Sequence, residues 1–131
     1  MIRRFLDRVT LTDWRGSLDG VPTFWSRTLL EYRGWRVSLH RIVASDDAGC
    51  FHTHPAWACR IILAGGYLEE MEDGRHRAWR PGRIGLVRPQ LSHRIAGLFH
   101  YRGSYSLWIR APKTNRIHLR GPGWPQALGE P

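Results

Sequence analysis

The chain has 131 residues and a formal net charge of +9, with seven histidines and two cysteines. That length serves one domain with a single core. Two cysteines exclude a disulfide framework, and no apolar run reaches the length of a membrane-spanning helix. Met1 to Arg8 never develops the apolar stretch of a secretory leader, so the expectation is a reduced, cytoplasmic protein.

Met1 to Asp19 mixes charged residues with isolated apolar ones and runs into Gly16-Ser17-Leu18-Asp19-Gly20. It reads as a frayed strand or short helical turn covering one end of the fold. Val21 to Tyr32 is rich in aromatic and branched residues and predicts a strand, turned by Arg33-Gly34. Trp35 to Val43 alternates, with Trp35, Val37, Leu39 and Val43 on one face, and predicts a half-buried strand resting on that face. After the polar loop Ala44 to Gly49 come Phe51-His52-Thr53-His54-Pro55, an apolar run through Ile61-Ile62-Leu63, and Gly65-Gly66. Pro55 cannot donate a ladder hydrogen bond and marks a break or bulge. Tyr67 to Met71 and His76 to Trp79 form a hairpin about Asp73-Gly74. A Pro81-Gly82 turn, a short apolar run, Pro89 and a strand opened by His93 follow. Ser104 to Arg110 is a further strand, and Thr114 to Arg120 a last edge strand. The tail 121–131 holds too many breakers for regular structure. The whole is a meander with little room for helix. It predicts an all-β single domain, 1–131, with its core over about 22–120, folded as a sandwich or small barrel.

In an extended strand alternate side chains share a face, so His52 and His54 point the same way about 7 Å apart. Two imidazoles are too few for a catalytic first-row metal, which takes three protein ligands and keeps positions open. His93 is the third candidate. A buried histidine is also a common hydrogen-bonded core residue, and His40, whose strand parity gives no answer, is read as structural. Cys59 reads either as a small buried hydrophobe or as a thiol near the metal.

Together these stretches resemble the two motifs of the cupins. In the first motif, His, one residue, His, four residues, Glu, six residues, Gly, the positions are His52, His54, Cys59 and Gly66. In the second they are Gly82, Arg88, Gln90, His93 and Gly97, where the family has Gly, Pro, Gly, His and Asn. The resemblance covers roughly Trp35 to Pro112 and implies a double-stranded β-helix, or jelly-roll, barrel. Cysteine in place of glutamate is similar to the thiol (cysteine) dioxygenases of that family. The likeness implies a mononuclear iron held by His52, His54 and His93, Cys59 beside it without binding it, and, with a gap in the alignment, Arg27 as carboxylate-binding arginine. Ser106 matches the family's later strand, whereas its histidine falls on Trp108 and its tyrosine on Arg110.

The expected function is therefore that of a metal-binding cupin acting as a non-haem iron oxygenase on a small anionic molecule, a thiol or carboxylate. Fe(II) is favoured, and Zn, Mn or Ni are compatible. Arg27, Arg60 or Arg88 would clamp a substrate carboxylate. The alternative is a non-catalytic cupin module that binds a ligand or metal. The basic charge also admits a nucleic-acid partner, but the arginines are scattered and form no dense run, and Lys113 is the only lysine. A homodimer through the Thr114 to Arg120 edge is a further expectation.

Overall fold

A computed structural model describes residues 2–16, 20–46, 51–114 and 119–120 of the chain. One short helix, α1 (Ile2–Leu6), precedes eleven strands: β1 (Asp13–Gly16), β2 (Pro22–Tyr32), β3 (Trp35–Ile42), β4 (Phe51–His52), β5 (Ala58–Ala64), β6 (Tyr67–Met71), β7 (His76–Trp79), β8 (Ile84–Val87), β9 (His93–Leu98), β10 (Ser104–Arg110) and β11 (Leu119–Arg120). They form two antiparallel sheets, ordered β1-β2-β3-β10-β5-β8 and β11-β4-β9-β6-β7. Cys50, residues 115–118 of the expected last strand and the tail 121–131 lie outside the described residues.

The turns explain the register. Between β6 and β7, Gly74 takes the left-handed conformation at φ +91°. The Asp73 carboxylate accepts from the Arg75 amide at 3.1 Å, and the Met71 amide reaches Arg75 O at 2.8 Å. This is the tight Asp-Gly hairpin that the sequence signals. The N-terminal segment contains both a helical turn and a strand. Arg3 donates to Gly103 O just ahead of β10, and Leu6 is buried with Leu39, Ala64 and Tyr105.

The reading of β3 needs a correction. Leu39 is buried against α1, but Trp35 is half exposed, while Arg36, Ser38, His40 and Ile42 on the opposite face line an interior cavity. The barrel interior is partly polar here, so hydrophobic alternation picks out the outer face, which the N-terminal segment covers in part.

The apolar core gathers Ile42, Ile62, Tyr67, Trp79 and Ile95, with Phe24 and Leu98 packed against it. Fully burying one such aliphatic side chain contributes about 1.5–3 kcal/mol. Ile42, Tyr67 and Ile95 also line the cavity. The hydrophobic centre of the sandwich is thus the wall on which the polar site is built.

Gly85 shows how closely the layers approach. A β-carbon there would collide with the Trp79 ring, which is 1% exposed, whereas one at Gly97 would meet nothing within 4 Å. Gly85→Ala should therefore destabilise the fold by about 1–3 kcal/mol in urea denaturation. Gly97→Ala should have no comparable cost.

Candidate metal centre

The three candidate histidines come together by two different devices. His52 ends β4 and His93 opens β9, and the two strands pair so that these residues stand directly opposite. His54 lies beyond the end of β4. The expected single strand through both residues stops at His52, and Thr53 to Ala56 run buried outside any ladder. Pro55, which has no amide hydrogen, stands within that break. Its carbonyl accepts from the Thr114 amide at 2.8 Å, and the His54 amide lies 3.4 Å from Pro89 O.

The three rings are 5%, 8% and 3% exposed, with centroids 4.8–5.1 Å apart. Each offers one ring nitrogen, and these atoms all lie within 4.8 Å of one another. Two nitrogens at about 2.1 Å from one ion stand at most about 4.2 Å apart, so closing the group on a metal needs an adjustment of under about 1 Å.

The proton arrangement suits a metal. His93 Nδ1 is 2.5 Å from Glu69 Oε2, and its Nε2 is 2.7 Å from His54 Nε2. Burial alone would raise the pKa of Glu69, but hydrogen bonds from His93 and Arg60 outweigh it and hold the carboxyl well below the usual carboxylate range. An ionised Glu69 can only accept, so His93 donates from Nδ1. With that proton on Nδ1, the neutral tautomer of the ring has its lone pair on Nε2, the nitrogen that faces His54.

Glu69 is fully buried on the inward face of β6, between Tyr67 and Met71. Across the sandwich, Arg60 on β5 grips it with two bonds, Nη1 to Oε2 at 2.6 Å and Nη2 to Oε1 at 3.0 Å. The indole N–H of Trp79 also donates to Oε1, at 3.2 Å. Arg60 donates in addition to the Tyr67 hydroxyl at 3.0 Å, and its guanidinium lies 3.6 Å from the centre of the Trp79 ring. Tyr67, with its pKa pushed up to about 12 chiefly by burial, stays a neutral phenol.

A cavity of about 230 Å³ opens beside the histidines, walled by the inward faces of β2, β3 and β10. Trp108 packs its ring 5.0 Å from His54 and stacks on His40 at 5.4 Å. Three arginines line the same space: Arg60, which is held by Glu69, and Arg36 and Arg110.

The structure does not bring Cys59 or Arg27 to this centre. Cys59 is a free, half-buried thiol between Ala58 and Arg60, whose buried side chains point inward, and it does not line the cavity. The strand break falls before Ala58, so no bulge brings the thiol inward. Arg27 lies between Ser26 and Thr28, which line the cavity, and it donates outward to Thr10 O at 3.3 Å. Arg60 is engaged by Glu69, and Arg88 is exposed. Sequence reasoning passed over Glu69. The available signal was an acidic residue sharing strand parity with Tyr67 and Met71, on what is otherwise an apolar face.

Glu69→Gln leaves the Arg60 charge buried without its partner. It should cost about 3–5 kcal/mol in urea denaturation of the metal-free protein. Because the folded pKa lies below the ordinary one, the carboxylate's contribution is complete above the ordinary value of about 4.3 and is lost as pH falls below it. Wild-type stability should therefore fall more steeply than that of the variant between about pH 5 and pH 3.

No family model and no curated protein matches the sequence. Solved structures do match the fold. A mannose-6-phosphate isomerase candidate from Ralstonia eutropha superposes with a TM-score of 0.63 at 21% identity, over 75% of this chain and 97% of its own. Fe(II) HppE gives 0.60 at 10% identity, over 79% of this chain and 57% of its own. A cupin superfamily protein from Desulfitobacterium hafniense gives 0.54 at 16% identity, over 69% and 78%. With two antiparallel sheets closing around a buried three-histidine group, the chain has the cupin jelly-roll fold.

Proposed function

We propose that His52, His54 and His93 bind one divalent transition metal, Fe(II) in preference to Zn, Mn or Ni, and that the protein is a mononuclear non-haem iron oxygenase acting on a small anionic molecule. The observation that carries this reading is the convergence of three buried imidazole nitrogens, with the ring of His93 anchored through Nδ1 by Glu69. The fold shared with Fe(II) HppE supports iron, as does the resemblance of the His52, His54 and His93 pattern to thiol dioxygenases.

Three neutral ligands leave the full +2 charge on the ion with positions open, which favours anionic or thiolate partners. Iron in this setting supplies activation of dioxygen next to a bound substrate. The chain's own part is to orient and to exclude water. Glu69 and Arg60 lock His93, Trp108 gives the substrate a flat wall beside His54, and the buried position of all three rings keeps bulk water away.

A non-catalytic ligand-binding cupin is the second reading. Trp108 and Arg110 favour it, since they stand where the thiol dioxygenases carry a histidine and a tyrosine.

His52→Ala and His93→Ala should each lower bound iron by about tenfold or more in elemental analysis while the domain stays folded. Wild-type metal content in both would remove the ligand assignment. Cys59→Ser should leave metal content unchanged, because the thiol lies outside the cavity. Oxygen uptake by the iron-loaded protein, tested across small thiols and carboxylates, separates the two readings. Consumption above the His93→Ala background supports the oxygenase, and none across the panel leaves the binding module.

A further inference from the structure

Arg110 is the one guanidinium on β10, on the same inward face as Ser106 and Trp108. It is 7% exposed, and two of its three nitrogens, Nε and Nη1, have no hydrogen-bond partner. The third, Nη2, makes only a long contact of 3.4 Å with Gly34 O. A buried arginine cannot shed its charge as a lysine does, so most of its donors face an interior that gives them nothing in return. Contrast Arg60, still more deeply buried in the same barrel, which has a carboxylate held by two bonds.

The residue directly opposite in the sheet adds positive charge instead of removing it. In the ladder between β3 and β10, Arg110 pairs directly with Arg36, which also lines the cavity. Arg36 has its own partner, Glu31, at 2.7 Å, and both side chains are more exposed than Arg110. Burial, then the neighbouring Arg36, disfavours the charged form of Arg110, and Glu31 only partly offsets them. Burial together with Arg110 and Arg36 also lowers the pKa of Lys113. An anion at this end would meet two guanidiniums, one of them already paired with Glu31, while the rest of the wall carries Asp13, Asp46 and the Glu69-bound Arg60.

We propose that Arg110, assisted by Arg36, forms an oxyanion subsite in the cavity, two residues along β10 from Trp108, and receives the carboxylate or phosphate head of a small organic substrate. The subsite rests on reading this cavity as the substrate-binding site, and it names the substrate's class. Two residues of strand, about 7 Å, separate Arg110 from Trp108, whose ring packs 5.0 Å from that of His54. The substrate is therefore two-ended: an anionic head on Arg110, an apolar or aromatic stem along Trp108, and a second functional group that reaches the histidines. The volume of about 230 Å³ limits it to a small molecule.

The test uses the full chain stripped of metal by chelator and calorimetric titration with benzoate, phenyl phosphate and neutral benzamide. At least one of the two anions should bind about tenfold or more tightly than benzamide, and the stronger of the two tells carboxylate from phosphate. Arg110→Gln should remove that preference, whereas Arg77→Gln, an exposed arginine on β7, should preserve it. If Arg110→Gln does not fold, Arg110→Lys and Arg36→Gln take its place, each expected to weaken anion binding by at least about threefold. Equal affinity for benzamide, no binding of either anion at millimolar concentration, or unchanged anion affinity in the Arg110 and Arg36 variants overturns the proposal. Metal titration is run separately. A wild-type protein that prefers anions but takes up no metal loses only the three-histidine reading, and one that binds metal without preferring anions loses only the subsite.

Discussion

A carboxylate with no exposed surface sits between the two sheets, and the arrangement of the centre follows from how it is held. Left alone, Glu69 in this interior would protonate or unfold its surroundings, since burying an unpaired charge costs several kcal/mol. Arg60 from the opposite sheet supplies the compensating charge through two bonds, and Trp79 fills a remaining acceptor position. What is left of the carboxylate's capacity falls on His93. One ion pair therefore does two jobs: it ties β5 to β6 across the sandwich, and it holds a proton on Nδ1 of His93.

The same chemistry clarifies the basic charge. Several arginines are structural in ways that composition cannot reveal. Arg60 is in the core, Arg94 pairs with Glu70 at 2.6 Å, and Arg3 and Arg41 lie over the ring of Tyr105. The Asp7 carboxylate accepts from the Tyr105 hydroxyl at 2.6 Å, and burial, followed by this bond, pushes that phenol up to about 12. Net charge counts these side chains as though they faced solvent. Among the described residues, structure separates arginines with partners inside the fold and arginines on the surface from Arg110, whose Nε and Nη1 have no partner.

Much of the architecture was legible because strand punctuation is local. The Asp73-Gly74 hairpin, the Pro81-Gly82 turn and the strand from Ser104 to Arg110 all declare themselves through short-range backbone chemistry. The histidines were legible as a pattern of residue type and spacing. Three things were not. The inward face of β3 carries Ser38 and His40, so an alternation rule that assumes an oily interior selects the other side. Glu69 looks like any acidic residue near a hairpin until Arg60 is known to face it. The parity of Cys59 depends on where the strand restarts after Pro55, and a restart at Ala58 turns the thiol away from the cavity.

The short strand that carries His52 has a further consequence. β4 is two residues long and is flanked by β9 on one side and β11 on the other. Its neighbours come from sequence positions far downstream, Leu119 pairing with His52 itself. A two-residue strand has no stability of its own, so this edge of the site is assembled by long-range closure and belongs to the late steps of folding, after the hairpins have formed. A fragment ending after β10 would hold all three imidazoles and still lack the strand that closes one side of the first.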